Sequence, residues 1–263
     1  MTDINMRNKQ NNISLSVIIL ARNEALNIVD CISSASFADE ILVIENNSTD
    51  KTVELATAHG AKVIKRNLDG DYSAQRNFAI DMAQNDWIFM LDADERITPL
   101  LKEEIIEAVT KNENRCYQVS RENHFVDGKV LHGDLRPDHV ERLFKKGYAH
   151  YEGLIHERLH TTSEIVRLRG RLIHFPYRSW EIHLQKINTY SSMVAEKYHK
   201  NGKKCSFCVD ILIKPLWAFF KVYFIHRGFL DGKLGLEFCI LHYFYTIEKY
   251  LKLDSLNRKN GRI

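Results

Sequence analysis

The chain has 263 residues, of which 44% are hydrophobic and 27% are charged, and a formal net charge of +3. On a soft prior of roughly 100–200 residues per domain, this length allows one sizeable domain or two small ones with a core that needs no covalent staples. Five cysteines, an odd number spread along the chain, argue against a disulfide framework and favour a reducing compartment.

The ends of the chain differ in charge. Residues 196–263 contain 13 lysines and arginines against 6 aspartates and glutamates, so the preceding part is mildly acidic. Residues 1–12 are polar and lack the apolar core of an export signal, and no run of about 18 uncharged apolar residues is present. The basic residues accompany long apolar helices and form no polar stripe, so we expect no nucleic-acid binding.

The first part of the chain alternates between apolar strands and amphipathic helices. Short connections between them predict a parallel sheet with helices on both faces. Polar residues follow the predicted strands, at the edge where ligands of open parallel sheets bind. The strands are predicted at 15–20, 40–44, 62–65 and 87–91, and the helices at 25–34, after Asp50 up to Gly60, at 72–83 and at 99–110.

The fourth predicted strand ends in two carboxylates, Asp92 and Asp94. Side chains on a strand repeat every second residue, so the two are expected on the same side, where a hard cation such as Mg²⁺ or Mn²⁺ would relieve their repulsion. The alternative is a solvated acidic turn before a helix that Thr98 caps and Pro99 begins.

After residue 110 the alternation stops. Further strands at 116–119, 141–144 and 164–173, and a hairpin around Asp127-Gly128, predict a mixed or antiparallel extension of the sheet. Three helices follow, at 180–199, 209–226 and 234–253. The sequence therefore predicts an α/β fold with a mostly parallel central sheet and a helical C-terminal extension.

Four motifs in order resemble those of family 2 glycosyltransferases, the nucleotide-sugar-dependent enzymes with the Rossmann-like A-type (GT-A) fold. The resemblance covers the first ~100 residues. A narrower resemblance, to the β-1,4-glucosyltransferases of the lipopolysaccharide inner core, extends over nearly the whole chain. The general motifs are SVIILARNE at 16–24, IENNSTD at 44–50, AQRN at 74–77 and LDADE at 91–95, and the narrower ones are RLF at 142–144, IHERL at 155–159, WEIHLQKINTYS at 180–191 and GFLDG at 228–232.

The resemblance implies a domain organisation and a role for each matching residue. A flexible N-terminus at 1–12 would precede a catalytic domain at 13–178. Within that domain, residues 13–110 would bind the nucleotide sugar and residues 111–178 the acceptor. A basic, helical C-terminal region would occupy 179–263. Asp94 would hold the divalent ion that bridges the diphosphate, and Asp92 would contact the ribose or the same metal shell. The other nucleotide-sugar-binding positions are Ala21, Asn23, Glu24, Glu45, Asn47 and Arg76.

Sugar transfer to a hydroxyl also requires a base, for which Glu157 is the candidate. Asp134 and Glu152 are rivals, and Glu157 could instead pair with Arg142 or Arg158 and shape a loop. Arg76 could likewise be a helix-surface residue paired with Asp71 or Asp81. Zinc is discounted because the spacing of the histidines is irregular; these are His124, His132, His139, His150, His156 and His160.

The resemblance implies an inverting, metal-dependent enzyme that moves a hexose, from UDP-glucose, onto a lipopolysaccharide core heptose or a similar lipid-linked glycan. The aromatic segment 215–226, flanked by lysines, suits a helix in a membrane interface, so we expect peripheral binding to the anionic cytoplasmic face of the inner membrane. Alternatives are another cell-surface polysaccharide or glycoprotein pathway, and a nucleotide-binding peripheral membrane protein without turnover. A sugar nucleotidyltransferase would need a glycine-rich loop after the first strand, where this chain has none.

Overall fold

A computed structural model describes residues 14–125, 128–153 and 157–259. The predicted flexible segment 1–12 lies outside the described residues. The chain divides into two compact units. The first, here called the sheet unit, comprises Met1–Arg121 and Asp138–His174, and the second, here called the helical unit, comprises Glu122–Pro137 and Phe175–Ile263.

The sheet unit begins with four parallel strands in the order β3-β2-β1-β4. This is the alternating strand and helix pattern that the sequence predicted, because each parallel step needs a crossover helix. The strands are β1 (Leu15–Ala21), β2 (Glu40–Glu45), β3 (Lys62–Lys65) and β4 (Trp87–Asp92), and the crossover helices are α1 (Ile28–Ser34), α2 (Thr52–Ala58) and α3 (Tyr72–Met82).

Within the described residues, the antiparallel extension completes a mixed sheet of nine strands in which β8 joins the parallel part at β4. β6 pairs with β8, β7 pairs with β6, and β11 pairs with β5, all antiparallel. A separate hairpin joins β9 to β10. The elements are β5 (Glu95–Ile97), α4 (Pro99–Lys111), β6 (Arg115–Phe125), β7 (Gly128–Val130), β8 (Asp138–Lys145), β9 (Ala149–Glu152), β10 (Arg158–Thr161) and β11 (Glu164–His174).

Apolar side chains cover both faces of the parallel strands. On β1, Val17 and Ile19 pack into the cluster that contains α1 and α4 residues, whereas Ile18 packs into the cluster on the α3 side. All three are fully buried. A strand buried on both faces favours apolar residues on both, which explains the apolar runs at 17–21 in β1 and 87–91 in β4. The predicted fold class is therefore confirmed, with a mixed sheet.

Three features of the sheet unit differ from the predicted elements. The hairpin of β9 and β10 was not predicted, because its eight residues carry few apolar side chains and their pairing depends on the partner strand. The short strand β5 was not predicted either. Helix α1 begins at Ile28, three residues later than predicted, because the backbone N–H groups of Asn27 and Ile28 both bond the Glu24 carbonyl in a tight turn (2.8 Å each).

In the helical unit, the first and third predicted helices are present with longer bounds, whereas the one predicted at 209–226 is a short α-helix between two π-helical turns. α5 (Trp180–Lys200) packs along α7 (Gly232–Lys259), and between them in sequence lie α6 (Lys214–Phe220) and the π-helical turns Phe207–Ile213 and Lys221–Ile225 that flank it. One core cluster contains Ala195, Ile211, Tyr250 and Leu253, and another contains Phe125, Val130 and Phe238. Within the described ranges, no helix combines the length and apolarity needed to cross a bilayer.

Candidate active site

The loops that follow β1 and β2 are joined by hydrogen bonds from backbone to side chain. Asn23 has a left-handed backbone (φ 55°), which asparagine tolerates better than most residues, and its Oδ1 accepts the Thr49 N–H at 2.8 Å. The Asn23 N–H donates to Ser48 Oγ at 3.0 Å, and the Glu24 N–H donates to Thr52 Oγ1 at 2.7 Å. These bonds bring the first two predicted polar clusters together at one edge of the sheet.

Three other predicted nucleotide-sugar residues lie at the same edge. The Glu45 side chain is buried and accepts the Ser48 N–H, so in this structure it supports the loop. Asn47, also left-handed at φ 50°, donates from Nδ2 to Asn67 Oδ1 at 2.8 Å. Ala21 ends β1 and its carbonyl accepts the Asn46 N–H at 3.0 Å. The edge is therefore a tightly bonded frame around the strand ends.

Asp92 ends β4 between two arginines. Its Oδ2 lies 2.6 Å from Arg142 Nη2, and its Oδ1 lies 3.1 Å from Arg76 Nη2. Burial alone would raise the pKa of Asp92, but the charges of Arg142 and Arg76 outweigh burial and hold that pKa far below its ordinary value. Asp92 is therefore ionised at neutral pH.

A second carboxylate, Glu95, shares Arg142 with Asp92. The Glu95 side chain is fully buried, with Oε1 2.6 Å from Arg142 Nη2 and Oε2 accepting the Asp92 N–H at 2.9 Å. Burial raises the pKa of Glu95, and although Arg142 opposes the rise, Asp92 adds to it. Arg121 lies 3.6 Å from the same Oε1 and also bonds Asp138 through Nε at 2.8 Å. The result is a buried network of alternating charges.

Arg76 connects this network to Glu157. It extends from α3 with 8% of its surface exposed, and its guanidinium carbon lies 5.2 Å from the centre of the Tyr151 ring. The alternative of a surface arginine paired with Asp71 or Asp81 is wrong, because Arg76 is buried and bonds Asp92 and Glu157. Its Nη1 is buried and has no hydrogen-bond partner within the described ranges. That N–H group is a donor available to an anionic ligand.

Glu157 is held by Arg76, not by Arg142 or Arg158 as the alternative had it: its Oε1 accepts from Arg76 Nε at 3.1 Å. The side chain is 18% exposed. Of its rivals, Glu152 is exposed and pairs with His150 Nε2 at 2.8 Å. Asp134 belongs to the helical unit and pairs with His242 Nδ1 at 3.0 Å. Of the three carboxylates, Glu157 is the one in the charged network at the strand ends.

Asp94 lies in the turn after β4 and does not share the partners of Asp92. β4 ends at Asp92, so the alternation that would place both carboxylates on one side does not extend to Asp94. Oδ2 of Asp94 lies 3.4 Å from His174 Nε2, and the two side chains are 26% and 16% exposed. The predicted cap is also present, because Thr98 Oγ1 accepts the Leu101 N–H and Pro99 begins α4.

The pairing of β11 with β5 places His174 beside Asp94, since His174 is opposite Glu95 in the register. No cluster of three or more His, Cys, Asp or Glu suited to a metal occurs within residues 14–125, 128–153 and 157–259. Mg²⁺ commonly takes one or two protein carboxylates and fills its other positions with water and substrate phosphates. A partly exposed carboxylate beside an imidazole is compatible with such a site, in which Asp94 and His174 would be the protein ligands.

The histidines named in the sequence have separate environments. His132 pairs with Asp231 and His124 with Glu122. His150 and His160 stack across the β9–β10 hairpin with ring centres 5.9 Å apart. His156 lies outside the described residues.

Together, the sheet order, the polar strand ends and the buried charges define an α/β protein with a candidate ligand site at the carboxyl ends of its parallel strands. The model of Glycosyl transferase family 2 matches residues 16–175. An uncharacterized glycosyltransferase of Rickettsia prowazekii is 30% identical over 266 residues, which cover 95% of this chain and 89% of the relative. The chain therefore belongs to Glycosyl transferase family 2, and it is a glycosyltransferase.

Other similarities concern proteins with more specific names. The lipopolysaccharide core biosynthesis glycosyltransferase LpsC of Rhizobium meliloti is 25% identical over 243 residues, 86% of this chain and 89% of LpsC. Among solved structures, S. aureus TarS residues 1–349 align at TM-score 0.45 and 13% identity over 94% of this chain and 91% of that one. Glucosyl-3-phosphoglycerate synthase from Mycobacterium tuberculosis, with Mn²⁺, UDP and phosphoglyceric acid, aligns at TM-score 0.44 and 18% identity over 73% and 80%. The family assignment rests on the sequence matches.

Proposed function

We propose that this enzyme is an inverting, metal-dependent glycosyltransferase that moves glucose from UDP-glucose onto a lipopolysaccharide core or similar lipid-linked glycan. One observation carries the proposal: the Asp94–His174 pair and the Arg76, Asp92 and Glu157 network lie at the same end of β4. Asp94 is two residues after Asp92, and His174 is opposite Glu95 in the register of β11 with β5. This edge offers a place for a cation, a buried donor for phosphate and a carboxylate for the acceptor.

Donor binding divides between the two parts of this edge. Asp94 and His174 would hold Mg²⁺ or Mn²⁺, which when bound draws charge from the departing diphosphate. The Arg76 Nη1–H would donate to a diphosphate oxygen, since it is buried and has no hydrogen-bond partner within the described part of the chain. Asp92 positions Arg76 and compensates its charge, so in this proposal it acts on the donor through that arginine.

The reaction is a displacement at the anomeric carbon of the donor. The acceptor oxygen forms the new bond to that carbon as the carbon–oxygen bond to the diphosphate breaks, and the bonding electron pair leaves with the diphosphate. The hydroxyl proton passes to the Glu157 carboxylate. A single displacement inverts the anomeric centre, so an α-linked donor gives a β-linked product.

Glu157→Gln tests the base. We expect turnover to fall by about 10²–10⁴, the usual contribution of a general base, with little change in the affinity for the donor nucleotide. The measurement is the steady-state release of UDP from UDP-glucose in the presence of acceptor.

Glu152→Gln is the matched control, since Glu152 is an exposed carboxylate nearby in sequence whose ion pairs are with His150 and His160. Its turnover should equal that of the wild type. A Glu157→Gln enzyme as fast as this control would remove Glu157 from the mechanism.

Similarity to LpsC supports a lipopolysaccharide core acceptor. The alternative is a glycan of another cell-surface pathway. The two possibilities differ in the acceptor that the enzyme uses. A donor screen with UDP-, GDP- and dTDP-sugars, followed by linkage analysis of the product on a truncated core oligosaccharide, tests both choices. UDP-glucose with the core acceptor should give the fastest transfer; a faster reaction with another donor or acceptor would overturn that part of the proposal.

A membrane surface is the proposed location of the acceptor. The segment from 207 to 230 exposes large apolar side chains, among them Phe207 (66%), Leu216 (62%) and Trp217 (56%). Lysines and arginines accompany them in the sequence, at 203, 204, 214, 221 and 227. Exposed aromatic groups with neighbouring cations favour insertion into an anionic interface. We propose peripheral binding to the cytoplasmic face of the inner membrane.

Trp217→Ser with Phe224→Ser tests this surface, because both side chains are about half exposed. We expect wild-type enzyme to co-sediment with vesicles containing anionic phospholipid, and the double variant to stay in the supernatant. The control is Leu184→Ser with Met193→Ser, which removes similarly exposed apolar groups from α5. Equal sedimentation of both double variants, or none by the wild type, would contradict membrane binding.

A further inference from the structure

The helical unit contains a cavity of about 310 Å³ that the donor chemistry does not use. Its volume is at the lower end of the roughly 300–1,000 Å³ usual for small-molecule sites. Its walls come from α5, from α7 and from the turn around Asp134. The wall includes aromatic and titratable side chains, namely those of Asp134, Tyr177, His183, Tyr190, Phe238 and Tyr245.

His183 is the unusual group in this wall. It is 7% exposed, and its Nδ1 is buried without a hydrogen-bond partner in the part of the chain that the structure describes. Burial, together with the positive charge of Lys186, lowers the pKa of His183 to about 4, so the ring is neutral at pH 7. A neutral imidazole has one ring nitrogen that accepts a hydrogen bond. Nδ1 is either that acceptor or, in the other tautomer, the N–H donor, and leaving either unpaired in a buried site is costly. This indicates a ligand with a hydroxyl group, which can both donate and accept a hydrogen bond.

Asp134, Tyr177 and Phe238 in the same wall restrict the chemical class of the ligand. Asp134 adds a carboxylate acceptor; burial raises its pKa, but the hydrogen bond from His242 outweighs burial and keeps the group ionised. A carboxylate here disfavours anionic ligands. An alkyl chain would leave His183 Nδ1 unpaired. The aromatic rings of Tyr177 and Phe238, whose centres lie 4.0 and 5.2 Å from that of His183, supply apolar surface.

We propose that this cavity binds a neutral pyranose ring, with its hydroxyl groups hydrogen-bonded to His183 Nδ1 and to the Asp134 carboxylate and its C–H face against the aromatic side chains. This inference rests on the proposed function in one respect, since it identifies the ring as part of the glycan substrate. The binding itself is independent of catalysis and requires no nucleotide.

The test is direct binding of methyl glycosides of glucose, galactose and mannose to the full-length chain, by saturation-transfer NMR without nucleotide or metal. At least one glycoside should bind to the wild type. His183→Phe removes the ring nitrogens and keeps an aromatic ring, and Tyr190→Ala removes part of the rim; each should weaken binding about tenfold or more. Met193→Ala is the control, because Met193 and Tyr190 are both 52% exposed on α5 and only Tyr190 lines the cavity.

Two outcomes would overturn the inference. One is that no glycoside binds the wild type, or that both cavity variants bind as well as Met193→Ala. The other is that decanoate or glucuronate binds in the cavity in place of the neutral glycosides. The test is separable from the proposed function: glycoside binding that is lost in both cavity variants would stand even if no nucleotide sugar were turned over, whereas failed binding with intact UDP release would leave the donor site unaffected.

Discussion

Replacing Asp94 by alanine should lower sugar transfer by about 10³-fold or more while the protein remains folded. A bound divalent cation contributes several kcal/mol to the stabilisation of the departing diphosphate, and each 1.36 kcal/mol is a factor of ten in rate. Asp94 is partly exposed, and among the described residues its ion pair is with His174, so its loss should cost the fold little. UDP release from UDP-glucose with saturating Mn²⁺ measures the effect.

Asp86→Ala provides the control for Asp94→Ala. Asp86 immediately precedes β4, at the opposite end from Asp94, and its side chain is exposed. We expect wild-type turnover from this variant. An Asp94→Ala enzyme that matched it, with circular dichroism and melting temperature unchanged in both, would exclude Asp94 as a metal ligand.

Replacing Arg142 by methionine should destabilise the sheet unit by about 3–5 kcal/mol, the usual cost of removing one partner from a buried ion pair. Arg142 is 4% exposed and its Nη2 lies 2.6 Å from both Asp92 and Glu95. Without Arg142, the buried Glu95 carboxylate loses its closest cation. Burial already raises the pKa of Glu95, so Glu95 can take up a proton and remove part of the cost of an unpaired buried charge. We therefore expect a loss of stability near the lower end of this range. Urea unfolding at neutral pH measures the change.

Two further variants make the Arg142 result specific. Arg158→Met removes an exposed arginine from β10 and should unfold at the wild-type midpoint. Adding Glu95→Met to Arg142→Met removes the buried carboxylate together with its partner, and should recover part of the lost stability. Two results would show that the charge network is not the source of stability. One is an Arg142→Met protein with the same unfolding midpoint as Arg158→Met. The other is a double variant whose free energy of unfolding is lower than that of Arg142→Met by the full cost of a second destabilising substitution.

The parallel half of the sheet could be predicted because each of its strands has a local signature. β1 and β4 are apolar at successive positions, since both of their faces are covered, and each is followed by helical spacing and polar residues. β5 and the β9–β10 hairpin have no such signature. Glu95 and Arg96 are charged residues buried by tertiary contacts, and no pattern in the neighbouring sequence indicates that burial.

The candidate site shows the same limit. Asp92, Asp94 and Arg76 could be singled out because each lies beside a predicted strand end or in a motif. His174 could not be placed near Asp94, because their proximity depends on the antiparallel register of β11 with β5. Arg142 lay in a motif without a role, and its position between Asp92 and Glu95 depends on the pairing of β8 with β4. Contacts between residues distant in sequence require the register, which local pattern does not provide.

The central claim is that a divalent cation at Asp94 binds the donor diphosphate, and calorimetric titration of UDP tests it most directly. Each titration is performed on wild-type and Asp94→Ala protein, with Mn²⁺ and with excess chelator. We predict that Mn²⁺ strengthens UDP binding to the wild type at least tenfold, an effect of about 1.4 kcal/mol, and has no effect on the variant. UDP affinity that is equal with Mn²⁺ and with chelator in the wild type, or equally enhanced by Mn²⁺ in Asp94→Ala, would contradict the claim.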